Sequence, residues 1–398
     1  MKIGITCPAS YPATQFGGIM FLAFDIAKEL KKQGHNITIY TTDLDFAKSN
    51  NAFNKNLPRI EDYEGIKIKR SHVYAKVKLF FINPGIYNLI KTDKPDIIHA
   101  VGIRGFQSFI AAIISKKYKI PLVISDQGGL YTHPDAQNLG LRKILYQLQE
   151  PMLKMIIKQA TKIIVVNEYE KQIFSNYCEL SKLVTIPNGI DIDKIIKNPF
   201  DFKKHHNISK KFLLFLGRFA HVKGPDILLH AVKQLEVSEK LKDHVIVMMG
   251  SDFGYQEKIF HMIKKLNLEK KIIVIKNPTR EEVISAYHSC EFLVLPSRWE
   301  MSPLTPIEGF VCKKTTISCK AHGIPYVIDD NVNGLLFELE NYNDLAEKML
   351  YLLENPKICE KLGMNGYQKT IKENSKERMG RKIIEVYEET ITTHNNRT

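Results

Sequence analysis

The sequence has no apolar run near the ~20 residues needed to cross a bilayer, which argues against a helical membrane span. Its longest apolar stretches, such as Phe212–Leu216 and Phe292–Leu295, are strand-sized. The opening Met1-Lys-Ile-Gly-Ile-Thr-Cys-Pro8 enters a strand at once and carries no secretory apolar region, so a cytoplasmic protein is expected. Six scattered cysteines form no Cys-x-x-Cys pair, which favours reduced thiols over disulfides or zinc–thiolate sites. No Gly-x-Gly-x-x-Gly is present, so the dinucleotide fingerprint is missing. No arginine- or lysine-rich run interleaved with aromatics marks a nucleic-acid surface. No period of 20–50 residues recurs, which excludes a solenoid.

What is present is length, charge and alternation. A chain of 398 residues exceeds one ordinary core and points to two domains of nearly 200 residues each. Hydrophobic content of 44% and charged content of 25% are those of a globular protein. The net charge of +14 fits a phosphorylated substrate, an anionic lipid or a plain lysine-rich surface.

Strand and helix patterns alternate along both halves. Strands are expected at Lys2–Thr6, Asn36–Thr42, Ile66–Arg70, Asp96–Ala100, Leu122–Ser125 and Lys162–Asn167. Helices are expected at about Ile19–Gln33, Leu79–Lys91, Arg104–Lys117 and Leu141–Gln159. Pro187-Asn-Gly-Ile-Asp191 and the polar Lys203–Lys211 stretch read as turn and linker. The alternation then restarts with strands Phe212–Leu216, Val245–Met249, Ile272–Ile275, Phe292–Leu295 and Thr315–Ser318, and closes with helices at about Asn343–Leu353 and Glu377–Thr390. This pattern predicts α/β architecture: two doubly wound Rossmann-like domains facing each other across a cleft. The expected division is 1–200 and 201–376, with the last helix, about 377–392, crossing back onto the first domain.

Two clusters carry chemistry. Gly217-Arg218 and Lys223-Gly224 follow one apolar strand, and Glu300 and Glu308 follow another. Two cations and two carboxylates at one sheet edge suit a ligand with a diphosphate at one end and hydroxyls at the other, such as a nucleotide sugar. Thr305-Pro-Ile-Glu308 also reads as a capping box worth ~1 kcal/mol, with Thr305 as N-cap. Arg218 equally reads as an exposed ion-pair member worth ~0–1 kcal/mol. Gly17-Gly18 lies between the first strand and first helix. Asp43-Leu-Asp45 mimics a metal-binding D-x-D but is expected to be a loop acid pair.

Taken in order, these pieces resemble the family 4 glycosyltransferases of the retaining GT-B class. Gly17-Gly18, Asp96-Ile-Ile-His99, Pro187-Asn-Gly-Ile-Asp191, Gly217-Arg218…Lys223-Gly224, the E-x7-E pair Glu300…Glu308 and His322-Gly-Ile-Pro…Asn333-Gly334 carry the resemblance over nearly the whole chain. It implies that Arg218 and Lys223 grip a donor diphosphate, that Glu308 meets the ribose and that Glu300 lies beside the donor sugar. Gly17, Gly18, Lys276, Asn277, Met301, Ser302, Leu304 and Thr305 are further donor-site candidates. His99, Asp126, Gln127 and His133 are acceptor-side candidates.

The chain departs from the family pattern at Asp126-Gln127-Gly-Gly129, where many relatives place a histidine, at Met301-Ser302-Pro303 after the first glutamate, and at Lys313-Lys-Thr315. The expected reaction moves a sugar from a nucleotide-diphosphate donor to a hydroxyl with retention, without a metal or cofactor. The basic, apolar stretch Leu141–Lys158 reads either as a membrane-surface seat for reaching a lipid-linked acceptor or as a buried helix. Alternatives are a sugar-nucleotide epimerase or a non-catalytic binding protein of the same fold.

Overall fold

The computed structural model describes residues 1–13, 16–45, 53–77, 80–126, 128–130, 148–241 and 243–395. The chain divides into two compact units, one of residues 1–188 with 376–398, the other of residues 189–375.

In the first unit, β1 (Lys2–Thr6), β2 (Asn36–Thr42), β3 (Ile60–Tyr63), β4 (Ile66–Ser71), β7 (Ile97–Val101), β8 (Leu122–Ser125), β9 (Lys162–Val165) and β10 (Leu183–Thr185) form one sheet. Its order is β10-β9-β8-β7-β1-β2-β4-β3. All pairings are parallel except β3–β4, a short antiparallel edge. The central strands are near-continuous Ile/Val runs because helices cover both faces. A separate hairpin joins β5 (Ala75–Val77) to β6 (Phe80–Ile82). The helix expected from Leu79 therefore starts only at Ile86, after Asn83-Pro84-Gly85, and ends at Asp93. Proline has no amide to donate and glycine favours turns, so that tripeptide breaks the apolar period into strand and helix. Of the expected helix Leu141–Gln159, the described part is Glu150–Gln159.

The second unit is a six-stranded parallel sheet of β11 (Lys211–Leu216), β12 (His244–Gly250), β13 (Ile272–Lys276), β14 (Leu293–Leu295), β15 (Thr316–Cys319) and β16 (Gly334–Phe337). The order is β13-β12-β11-β14-β15-β16, so successive crossovers reverse direction between β11 and β14. Helices Pro225–Val237, Gln256–Lys265, Arg280–Ser289, Leu304–Val311, Tyr342–Glu354 and Pro356–Glu373 cover it. The helix at Pro356–Glu373 is opened by Pro356, and the sequence pattern did not reveal it. Within the polar linker, Phe202–His205 makes a short helix capped by Asp201, which accepts the Lys204 amide.

The final helix, Lys376–Asn395, packs on helix Gly18–Lys32 inside the first unit. Tyr387 is fully buried there with Met379, Ile383 and Val386. Gly380 lies so close to Glu29 that an added Cβ would sit 2.7 Å from the glutamate Cβ. All six cysteines are free, and burial pushes the thiols of Cys7, Cys290, Cys312, Cys319 and Cys359 up to about 12.

Candidate functional site

In an open parallel sheet, ligands bind beyond the carboxyl ends of the strands where the winding reverses. In the second unit that point lies between β11 and β14, and the two charged motifs occupy it. Gly217-Arg218 leaves β11, and Ser297-Arg-Trp-Glu300 leaves β14. The Lys223 ammonium meets Glu300 Oε1 at 2.5 Å, and the Ser297 hydroxyl donates to the same oxygen at 2.8 Å. Both charged side chains are largely buried, at 16% and 12% exposure, so their charges are weakly screened.

Local backbone explains why these side chains meet. Gly224 has φ of 64°, and an added Cβ would lie 1.9 Å from the Pro296 carbonyl oxygen. Only glycine fits, and this close approach sets the Lys223 loop against the strand end that leads to Glu300. The Lys223 stem passes over Gly217, where a Cβ would stand 3.7 Å from its Cγ.

Arg298 fastens the loops from behind. It makes paired bonds to Asp226 at 2.8 Å each, meets Glu340 and donates to the His221 carbonyl at 2.7 Å. Burial alone would raise the Asp226 carboxyl, but the Arg298 hydrogen bonds and charge hold it below its usual value. Arg218 stays exposed, its guanidinium 4.8 Å over the Phe253 ring.

Glu308 is not the helix cap that the sequence suggests. The helix Leu304–Val311 takes Pro303 as its N-cap, two residues earlier than the expected Thr305, and no side chain caps it. Glu308 lies inside the helix, gripped by both Arg280 nitrogens at 2.9 and 2.7 Å and by the Tyr287 hydroxyl at 2.9 Å. A fork-shaped guanidinium matches a carboxylate better than one backbone amide does, so the capping box loses. Burial and then the Glu308 charge push Tyr287 well above its usual value, keeping it a hydrogen donor.

Met301 is buried against the following loop, and the Gly323 amide donates to the Glu300 carbonyl at 3.0 Å. Ser302 is half-buried, Leu304 exposed and Thr305 half-buried at the same helix start. Lys276 is exposed at the end of β13 with its ammonium 4.8 Å over the Phe260 ring. Asn277 adopts φ of 48° and donates its amide to Gly250.

The first unit treats its candidates differently. Gly17 and Gly18 open the helix after β1, and nothing lies within 4 Å of a Cβ built on either. His99, expected near an acceptor, is fully buried and points into the unit's interior. Its Nδ1 meets the Tyr387 hydroxyl at 2.6 Å and its Nε2 the Ser125 hydroxyl at 2.7 Å. Burial pushes its imidazole down to about 3, so it is a neutral, buried link to the final helix.

Asp126 is also interior. It accepts the Ile103 amide at 3.4 Å and the Leu130 amide at 3.0 Å, and burial raises its carboxyl. Glu170 sits beside it, holding the Gly128 and Val166 amides at 3.2 and 2.8 Å. Burial, then the Asp126 charge, pushes Glu170 up to about 8. Gln127 and His133 lie outside the described residues. Asp43 holds His72 and the Val73 amide, and Asp45 accepts from Asn54, so that acid pair knits a loop.

Sequence reading missed Ser297, Arg280, Tyr287, Arg298 and Glu170. Only Arg280 left a local trace, standing just inside the Thr279–Glu282 capping box that opens its helix.

Comparison with known proteins identifies the family and the fold. The family model for glycosyl transferases group 1 matches residues 197–369, and that for glycosyltransferase family 4 matches residues 16–194. An uncharacterized glycosyltransferase of Methanocaldococcus jannaschii is 29% identical over 94% of this chain and 95% of its own. The alpha-monoglucosyldiacylglycerol synthase of Streptococcus pneumoniae is 24% identical over 99% of this chain and 87% of its own. Among solved structures, Anabaena HepE in complex with UDP and glucose superposes with a TM-score of 0.77 at 18% identity, covering 98% of this chain and 99% of that one. With one family model matched to each half of the chain and solved glycosyltransferases sharing its fold, the chain belongs to the group 1, family 4 glycosyltransferases and has the GT-B fold.

Proposed function

We propose that the protein transfers a sugar from a nucleotide-diphosphate donor to a hydroxyl acceptor with retention of configuration, and that the donor is held by the second unit. The observation that carries this reading is the Lys223–Glu300–Ser297 cluster at the winding reversal between β11 and β14. HepE, of like fold, is seen with UDP and with UDP-glucose, and the pneumococcal relative is named for glucosyl transfer to a lipid.

Arg218 and Lys223 supply two positive charges for the diphosphate. The start of helix Leu304–Val311 adds amides that no side chain caps and the positive end of its dipole. Glu308 keeps acceptor capacity after binding Arg280 and Tyr287, because a carboxylate has about four lone-pair sites, and it takes the ribose hydroxyls. Lys276 and Asn277 lie by the base. Glu300 stands by the sugar, released from Lys223 as that ammonium turns to phosphate.

As the bond to the anomeric carbon breaks, charge grows on the leaving phosphate oxygen, where Arg218 and Lys223 stabilise it. That oxygen takes the acceptor proton while the hydroxyl attacks from the same face, which gives retention without a protein nucleophile or a metal. The acceptor lies against the first unit, near the donor-site candidates Gly17 and Gly18, which have open space around them.

The test is thermal stabilisation by a panel of sugar nucleotides, followed by assay of the best binder for transfer or slow hydrolysis. A donor at ~100 times its dissociation constant adds ~2.7 kcal/mol of stability. Stabilisation by none of them contradicts the donor site, and binding without turnover favours a non-catalytic binding protein.

A further inference from the structure

Remote from the charged motifs in sequence, His205 and His206 end the short helix Phe202–His205, and Glu282 stands on helix Arg280–Ser289. The structure gathers them: the ligand-capable atoms of His205, His206 and Glu282 all lie within 4.8 Å of one another. Phe202, fully buried, anchors the short helix, and the His206 ring packs on it at 4.5 Å between centroids. The His205 ring stands edge-on to His206 at 4.8 Å and 81°.

One atom in this cluster lacks what buried polar atoms normally have. His206 Nε2 is out of contact with solvent and has no aligned hydrogen-bond partner, although Glu282 Oε1 lies 3.2 Å away. Near contact without alignment is the relation between two ligands of one ion. Zinc bonds of about 2.0–2.1 Å at a tetrahedral angle put neighbouring ligand atoms about 3.3 Å apart. The other Glu282 oxygen is committed to the Thr279 amide at 2.7 Å, which fixes the carboxylate with Oε1 turned to the histidines.

We propose that His205, His206 and Glu282 form a binding site for a divalent transition metal of the zinc class. Two imidazoles and one carboxylate suit zinc, cobalt or nickel rather than magnesium or calcium, which favour all-oxygen sets. Three protein ligands leave a fourth position to water. The ion bolts the short linker helix to helix Arg280–Ser289. Because Arg280 and Tyr287 on that helix seat Glu308, occupancy also firms the donor site, a consequence that rests on the functional reading above.

The experiment uses untagged, chelator-treated full-length protein with Zn2+ alone as probe, and Co2+ for its absorption spectrum. Expected are one retained equivalent per chain, a raised melting temperature and a cobalt spectrum with nitrogen ligands. His205→Ala, His206→Ala and Glu282→Gln should each weaken binding at least tenfold, while Glu281→Gln leaves it unchanged. Glutamine keeps an acceptor for Thr279, and His205 is exposed, so these two variants report on binding even where His206→Ala unfolds. No retained zinc, or affinity unchanged in His205→Ala and Glu282→Gln, overturns the site. None of these readouts needs a sugar nucleotide, so failure here and failure of the donor assignment are separable.

Discussion

The two units share a winding pattern yet use their strand ends in opposite ways. In the second unit, the loops leaving β11 and β14 bring Lys223 to Glu300, the helices that follow β13 and β14 bring Arg280 to Glu308, and each pair keeps partial exposure. In the first unit, the polar groups within β7 and after β8 and β9 are buried. His99 is spent on tying Ser125 to the final helix, while Asp126 and Glu170 hold loop amides. Equal topology does not give equal chemistry. Recognition of a charged ligand needs groups that can exchange one partner for another, and buried, fully committed groups cannot.

The largest expected effects come from the second unit. Glu300→Gln and Lys223→Ala should each lower kcat for the preferred donor by about 10²–10³, the loss of ~2.7–4 kcal/mol typical of one preorganised charged group. Next is Arg298→Ala, which strands Asp226 against the helix start. Removing one partner of a buried pair predicts about 3 kcal/mol of lost stability, read by denaturant unfolding. Asp226 protonation should then no longer be depressed.

Arg280→Ala frees Glu308 and should raise KM for the donor about tenfold with a smaller change in kcat, since the seat and not the reacting group is lost. Equal KM in wild type and variant would break the assignment of Glu308 to donor binding.

For the first unit, the expected signature is a pH slope in stability. The folded Glu170 value, about 8, lies above the unfolded 4.5, so the native state binds more protons between them. Stability is therefore full below about 4.5 and falls as pH rises through about 8. Glu170→Gln should flatten that slope in chemical unfolding measured across the window. His99 acts oppositely, its contribution being lost as pH falls from 6.5 towards about 3.

The smallest effect belongs to Gly18→Ala. A Cβ there meets nothing within 4 Å, so the melting temperature should hold while acceptor KM shifts. Gly224→Ala provides the contrast, since its positive φ alone costs on the order of 1–3 kcal/mol and its Cβ collides with Pro296.

Much of this was legible in the sequence because the signals were local. Parallel strands buried on both faces appear as short Ile/Val/Leu runs, and Gly217-Arg218, Lys223-Gly224 and Glu300 stand directly after them. What was hidden depends on pairings across long separations. Glu308 looked like a cap because Thr305 precedes it by three residues, and the competing Arg280 is visible only once its helix packs beside it. His99 looked functional because Asp96-Ile-Ile-His99 resembles a family motif, yet its partner Tyr387 arrives from the last helix. The helix Pro356–Glu373, absent from the sequence reading, carries two glycines, Gly363 and Gly366. In the fold they allow close packing, a Cβ at Gly366 falling 2.2 Å from Phe310.

The most direct test is a double-mutant cycle on Lys223 and Glu300, reading kcat/KM for the preferred sugar nucleotide. If both act on one donor, either single change should remove most of the rate and the double change should cost far less than their sum. Two fully additive effects, or turnover undiminished in Glu300→Gln, would contradict a shared donor site at the reversal between β11 and β14.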